Sequence, residues 1–268
     1  PIMSFTSLLL TSEKEWAIQP GKVRASSPVD EPSAVNPSTP LEASSSSVSL
    51  ADKKILIAGS SGQLARQFIF ELNKRGISYS APDEVNFDIM QLDMVRRVVS
   101  QERPAILING AAYTKVDLGE DERDQAFLVN GEAVSNLARV AKENGIFLVH
   151  FGTDYVFDGE KGAPYIEEDS PRPLNVYGAS KLEGEEALKR EAGDYLILRL
   201  SWVFGNGRTN FLYRLSQWAK NQDQLRISSD EVSVPTYTED VVNVTLASLG
   251  LGLQGLYHLT NSGYASRY

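Results

Sequence analysis

The stretch "KKILIAGSSGQLARQFIFELNKRG", residues 53–76, decides the fold. It begins as a continuous apolar run and ends in a glycine. An apolar run without alternation marks a strand covered on both faces, which is the signature of a parallel sheet. After the glycine the period changes. Leu64, Phe68 and Leu72 recur at helical spacing, and Gly76 supplies a stop. Between strand and helix stand Gly59, Gly62 and Ala65, a GxxGxxA spacing. Glycine lets the backbone turn tightly and approach a pyrophosphate. The following helix points its N-terminus at the phosphates, and a small third residue lets helix and strand pack closely. The motif gains weight from its context, a strand before it and a helix after it. Dinucleotide binding is the expectation.

The same alternation continues outward. "ISYSA" reads as a second strand and "DIMQLDMVRRVVSQE" as a helix capped by Asp88. "PAILING" is a third strand. "EDERDQAFLVNGEAVSNLARVAKENG" is one long helix, interrupted near Gly131 and stopped by Gly145. "IFLVHFG" is a fourth strand. A helix reaching Ala192 and the strand "YLILRL" follow. Beyond Leu200 the pattern loosens, with helical "NFLYRLSQWAKN" and "EDVVNVTLASLGL" and a late strand "GLYHLT". The implied fold class is α/β, a doubly wound parallel sheet of Rossmann type. The domain reading is a low-complexity tail or linker over 1–52, a dinucleotide-binding domain over 53–200, and a partial substrate-binding region over 201–268. The first segment is Ser- and Pro-rich, with too little apolar surface to offset the entropy of ordering it.

Composition narrows the chemistry. The chain has 268 residues and a net charge of −9, which argues against general nucleic-acid or anionic-membrane binding. No apolar run approaches the roughly 18 residues of a membrane span. With no cysteine and two histidines, neither a thiolate metal site nor a His-rich one is expected. His150 and His258 lie in apolar runs and read as strand residues. A cytoplasmic enzyme is the expectation.

Ligands in such sheets bind beyond the carboxyl ends of the strands. After the second strand, Asp83 and Asp88 are candidates for ribose hydroxyls, and Arg66 for a 2′-phosphate, so NADH and NADPH both remain open. After the third, Gly110, Ala111 and Ala112 let a cofactor lie against the backbone. After the fourth comes "GTDYVFDG", with Thr153 first. Then "NVYGASK", residues 175–181, places Tyr177 and Lys181 four apart on one helix face. These three side chains converge where a nicotinamide lies.

Here the chain resembles the dTDP-4-dehydrorhamnose reductase family of the extended short-chain dehydrogenase/reductase superfamily. The resemblance rests on "GSSGQLA", "FDI", "NGAAYTKVD", "VNGEAVSNLA", "GTDYVFDG", "PLNVYGASKLEGE", "LRLSWVFG", "PTYTED" and "YHLTNSGYAS", in order from Lys53 to the last residue. It implies Thr153, Tyr177 and Lys181 as the catalytic triad. Tyr177 is then the general acid for the developing alkoxide, and Lys181 lowers the phenol pKa and holds the nicotinamide ribose. The implied cofactor contacts are Gly59, Ser61, Gly62, Gln63 and Leu64 in the first loop. Asp88 and Ile89, then Ala111, Ala112 and Tyr113, follow in the next two. The implied substrate contacts are Thr153, Asp154, Tyr155, Trp202 and Arg208, for a dTDP-sugar. A monomer or homodimer is implied. Some members pair through acids and Mg2+, and the acids of "LEGEE" read instead as solvated helix-face charges.

Two departures stand out. The family segment "DQ.G.PT" reads "DEVSVPT" at 230–236, with Glu231 and Ser233 in place of glutamine and glycine, which puts nucleotide contacts from that loop in question. The chain also stops at Tyr268, where relatives continue, and is expected to be truncated. Two other readings are a regulatory subunit like the β subunit of methionine adenosyltransferase and a nucleotide-sugar epimerase. Intact "GTDYVFDG" and "NVYGASK" weigh against the first, and the GxxGxxA loop against the second.

Overall fold

The computed structural model describes residues 49–268. The low-complexity reading of residues 1–52 therefore falls, up to residue 48, outside the described residues.

The strands expected from the apolar runs form one parallel sheet. β1 (Ile55–Ala58) pairs with β2 (Tyr79–Ser80) on one side and β3 (Ile106–Asn109) on the other. Outward from β3 lie β4 (Phe147–Thr153), β5 (Tyr195–Leu200) and β9 (Gly255–His258), giving a six-stranded order β2-β1-β3-β4-β5-β9. The direction of chain travel reverses between β1 and β3, the switch point at which such sheets open a crevice for ligands.

The alternation of side chains explains the layers. Ile55 and Ile57 face α1 (Gln63–Arg75) and α7 (Thr238–Gly250), while Leu56 and Ala58 face α2 (Leu92–Glu102) and α4 (Ala133–Glu143). Phe68 and Leu72 of α1 are fully buried at 0% exposure. Each such side chain stabilises the fold by roughly 1.5–3 kcal/mol. α5 (Val176–Glu191) packs beside α4 on the second face, with Leu188 in that core.

Two expectations are corrected. Asp88 does not cap α2. That helix is entered through Gln91, without a side-chain cap, because the Asp88 carboxylate already accepts the Met90 N–H at 2.9 Å and closes a turn of its own. The long helix between β3 and β4 is also not one rod. A short α3 (Arg123–Phe127) runs into a π turn (Leu128–Glu132), which runs into α4. The interruption at Gly131 is thus real, and its form is a widened turn rather than a break.

After β5 the chain builds smaller pieces. β6 (Val203–Phe204) pairs with β8 (Thr236–Tyr237), α6 (Phe211–Asn221) intervenes, and β7 (Val232–Ser233) pairs with β10 (Ala265–Ser266). Between these pairs α7 and β9 return to the main sheet. No helix among the described residues is long and apolar enough to cross a membrane.

Candidate active site

The glycine turn forms as its residues require. Gly59 has φ +70°, the left-handed region that glycine occupies without strain. A Cβ there would sit 2.6 Å from the Ala111 backbone, so only glycine lets the loop after β1 touch the loop after β3. Gly62 then enters α1 with no side-chain cap, leaving the helix N–H groups open to an anion. Ala65 and Gly110 meet beneath the turn: a Cβ on Gly110 would come 3.3 Å from that of Ala65. The geometry fits a dinucleotide, since the tight turn leads into a helix N-terminus with no side-chain cap, where the donors are backbone N–H groups.

The neighbouring loops are braced around it. Ser60 Oγ donates to Pro82 O at 2.9 Å, and Ser61 Oγ donates to the Glu84 carboxylate. Gln63 Oε1 accepts from Asn210 Nδ2 at 3.0 Å, tying the turn to the entry of α6, while Leu64 packs on the α1-side core. Asp83 accepts from Asn86 within its own turn, Ile89 is buried in the α2-side core, and Arg66 is exposed. Ala111 N–H donates to Asn109 Oδ1 at 3.1 Å, and the half-buried Ala112 leads to Tyr113. The Tyr113 N–H donates to Asn130 Oδ1 at 2.9 Å and its hydroxyl to Glu122 at 2.8 Å.

The Thr153 and Tyr177 hydroxyls come together at the end of β4, while Lys181, on the same helix as Tyr177, turns its Nζ to His150. The first turn of α5 is held from three sides. Asn175 Oδ1 accepts the Gly178 N–H at 2.7 Å, Glu120 accepts the Val176 N–H at 2.8 Å, and Asn130 Nδ2 donates to Ser180 Oγ at 3.0 Å. Gly178 and Gly184 let α5 lie close. A Cβ on the first would collide with Tyr155 O, and on the second with Asn130 O. Held there, Tyr177 is half-buried, within hydrogen-bonding reach of the Thr153 hydroxyl, and 5.6 Å edge-on from the Tyr155 ring. Thr153 Oγ1 also accepts the Tyr155 N–H at 3.3 Å.

The electrostatics depart from expectation. Burial pushes the Tyr177 phenol up to about 12; the Thr153 hydrogen bond opposes this, and Asp154 and Tyr155 add to it. Lys181 is not the dominant neighbour of the phenol. Its Nζ lies 3.3 Å from His150 Nε2, and burial pulls it down to about 8 against the field of Glu185. Desolvation, the largest cause at Tyr177, acts against the lowering expected from an adjacent ammonium.

A cleft of about 500 Å³ opens beside Tyr155, lined by Asp154, Asn175, Trp202, Glu231 and Ser233 among others. Asp154 accepts from Ser201 Oγ at 2.8 Å and from Ser233 Oγ at 2.7 Å, and burial raises its pKa. The serine that replaces the family glycine thus anchors the loop to the end of β4. Trp202 holds a left-handed φ of +35°. The Arg267 guanidinium lies 4.9 Å over its ring, bonds Glu231 at 3.1 Å and donates to the Tyr155 hydroxyl at 3.2 Å. Glu231 is accordingly committed to an arginine. Arg208 is exposed and outside the lining of this cleft.

Sequence reasoning missed the support beneath. Asn109, Asn130 and His150 are buried polar residues in apolar runs, and such groups are kept only where they find partners. That polarity was the available signal. Glu185 and Arg199, at 0% and 1% side-chain exposure, form a buried pair at 2.7 Å under the same helix. Among the described residues no group of three or more His, Asp or Glu is arranged to hold a metal ion.

Known proteins place this geometry. A family profile described as the RmlD substrate binding domain matches residues 53–268. A dTDP-4-dehydrorhamnose reductase of Burkholderia thailandensis is 38% identical over 223 residues, covering 80% of this chain and 74% of that protein. The Escherichia coli dTDP-4-dehydrorhamnose reductase is 34% identical over 228 residues, with the same two coverages, 80% and 74%. Among solved structures, dTDP-4-dehydrorhamnose reductase from Bacillus anthracis in complex with NADP superposes with TM-score 0.77 at 36% identity, covering 80% of this chain and 76% of that one. A Thermus thermophilus UDP-glucose 4-epimerase in complex with NAD reaches TM-score 0.70 at 20% identity, covering 80% and 79%, a likeness of fold alone.

Proposed function

The chain belongs to the dTDP-4-dehydrorhamnose reductase family, and from that premise and its own site we propose that it reduces the 4-keto group of dTDP-4-dehydrorhamnose to give dTDP-L-rhamnose. The observation that carries the reading is the meeting of the Thr153 and Tyr177 hydroxyls at the carboxyl end of β4, between the glycine turn and the cleft. NADPH or NADH held on Gly59, Gly62 and the open N-terminus of α1 supplies the hydride.

The side chains do the rest. Thr153 donates a hydrogen bond to the ketone oxygen and fixes its orientation. Tyr177 gives its phenolic proton to that oxygen as negative charge develops there, the role of a general acid. Burial keeps the phenol protonated at neutral pH, which is the form this task needs. Tyr155 and Trp202 wall the cleft where the dTDP-sugar is to lie. The intact Thr–Tyr–Lys set also weighs against a purely regulatory role.

The test is the rate of NADPH and NADH oxidation with dTDP-4-dehydrorhamnose, for this chain and its Tyr177→Phe variant. A fall of about 100-fold or more in kcat is expected on losing the acid. Equal rates in the two proteins would overturn the role of Tyr177. The faster nucleotide identifies the preferred cofactor.

A further inference from the structure

The loop after β2 is pinned to the glycine turn by side chains that the reaction just described leaves unused. Ser60 Oγ donates to Pro82 O at 2.9 Å, and Ser61 Oγ donates to the carboxylate of Glu84, 23 residues further along the chain. In a sheet of this kind the pyrophosphate lies on the helix N-terminus, and an acid roughly 20 residues beyond the turn meets the adenosine ribose. The 2′ position of that ribose is where the two nucleotides differ. NADH has a hydroxyl there, which donates a hydrogen bond. NADPH has a phosphate, with about −1.5 to −2 charge at pH 7. The B. anthracis reductase is a complex with NADP and the T. thermophilus epimerase a complex with NAD, so the shared fold admits either and the choice falls to side chains.

The charge of this loop has one sign. From Ala81 to Gln91 the chain holds Asp83, Glu84 and Asp88 and no lysine or arginine. Two of these acids are engaged locally. Asp83 Oδ1 accepts the Asn86 N–H at 3.0 Å and its side-chain amide at 2.7 Å, and Asp88 Oδ1 accepts the Met90 N–H at 2.9 Å. Glu84 is exposed, and it is the acid that reaches the turn. Ser61 engages its Oε1, and Oε2 has no partner among the described residues. The turn itself, Gly59 to Gln63, carries no charged side chain to set against it. Arg66, the other candidate for this position, shares the outward face of α1 with Phe70 and Asn73, which are exposed like it.

We infer that Glu84 is the specificity-determining residue for the nucleotide: held by Ser61, its carboxylate accepts from the ribose 2′-hydroxyl of NADH and repels the 2′-phosphate of NADPH, so that the chain prefers NADH. The inference rests on the reading of the glycine turn as the dinucleotide site. It does not depend on which sugar is reduced.

Calorimetric titration of the chain with each nucleotide tests this without any turnover. NADH is expected to bind about tenfold or more tighter than NADPH at low salt, the scale of a close repulsion between exposed charges. Salt screens such charges, so the ratio narrows as ionic strength rises. Glu84→Gln keeps the side-chain length and removes the charge. It is expected to raise NADPH affinity about tenfold and to leave NADH unchanged or slightly weaker. Glu84→Lys reverses the preference, and Ser61→Ala, which releases the carboxylate, narrows it. Glu84 is exposed, so the urea midpoint of the free protein stays the same in its variants. The rise in thermal midpoint produced by each nucleotide is a second readout of the same order of affinities. Equal or tighter binding of NADPH by the natural sequence overturns the inference, as does a preference for NADH that survives Glu84→Gln. A loss of NADPH affinity alone in Arg66→Met assigns the 2′-phosphate to that arginine and also overturns it. Binding of neither nucleotide overturns the dinucleotide reading together with the inference. If the sugar were not reduced while NADH bound tighter than NADPH through Glu84, the reductase reading would fail and the inference would stand.

Discussion

Gly59 shows how much a single residue settles. Its φ of +70° and its contact with Ala111 leave no room for a side chain. Gly59→Ala is expected to cost on the order of 1–3 kcal/mol in stability through backbone strain. It should also weaken NADPH binding more than tenfold, because the loops after β1 and β3 must part. Isothermal titration with NADPH, paired with urea unfolding, separates the two effects; unchanged affinity would show that the turn does not hold the cofactor. The glycine spacing made this turn legible in the sequence. His150 was legible only in part: its apolar run placed it correctly in a strand, yet its partner on α5 is set by tertiary packing, which no local pattern encodes.

At the scale of elements, α5 carries the site. Its two glycines set its depth against the Tyr155 carbonyl just after β4 and against the π turn after α3. Gly184→Ala would force the helix away from Asn130 O, beside Ser180 and Lys181. Overpacking of this kind costs typically 1–3 kcal/mol. The expected kinetic result is a fall in kcat with little change in KM for the nucleotide, measured by steady-state oxidation of NADPH; a loss confined to KM would show that α5 does not position Tyr177. The apolar periods gave the six main strands and the helices between them. They did not give the π turn, because a widened turn keeps a helical repeat in the sequence. Nor did they place the Asp88 carboxylate, since an acid before a helix serves a cap or a preceding turn equally well. Tyr177 and Lys181 share a face as their spacing requires, but only the packed structure shows that burial is the largest cause acting on the phenol.

Across the whole molecule, the two histidines make stability depend on acid. Burial, the larger cause, lowers His258 from 6.5 to about 4, and Glu167 opposes it. A depressed folded pKa means the unfolded chain takes up the proton first. Stability is therefore full above pH 6.5 and is lost as the pH falls toward 4. For His258 the loss is on the order of 3 kcal/mol. His150, shifted in the same direction, adds to it. Urea midpoints measured across that window should fall for the natural sequence and fall less for His258→Gln. A flat profile would show that His258 is not held neutral by the fold.

The sixth strand has a consequence for how the molecule comes into being. β9 joins β5 with Leu196 opposite Gly255, across all of the chain that builds α6, β6 to β8 and α7. A ribosome delivers β1 to β5 first. Until β9 emerges, β5 presents an open row of backbone donors and acceptors, the kind of edge on which a foreign strand can add. In the interval between those two strands that edge of β5 stands unpaired, and the interval ends when β9 docks on it.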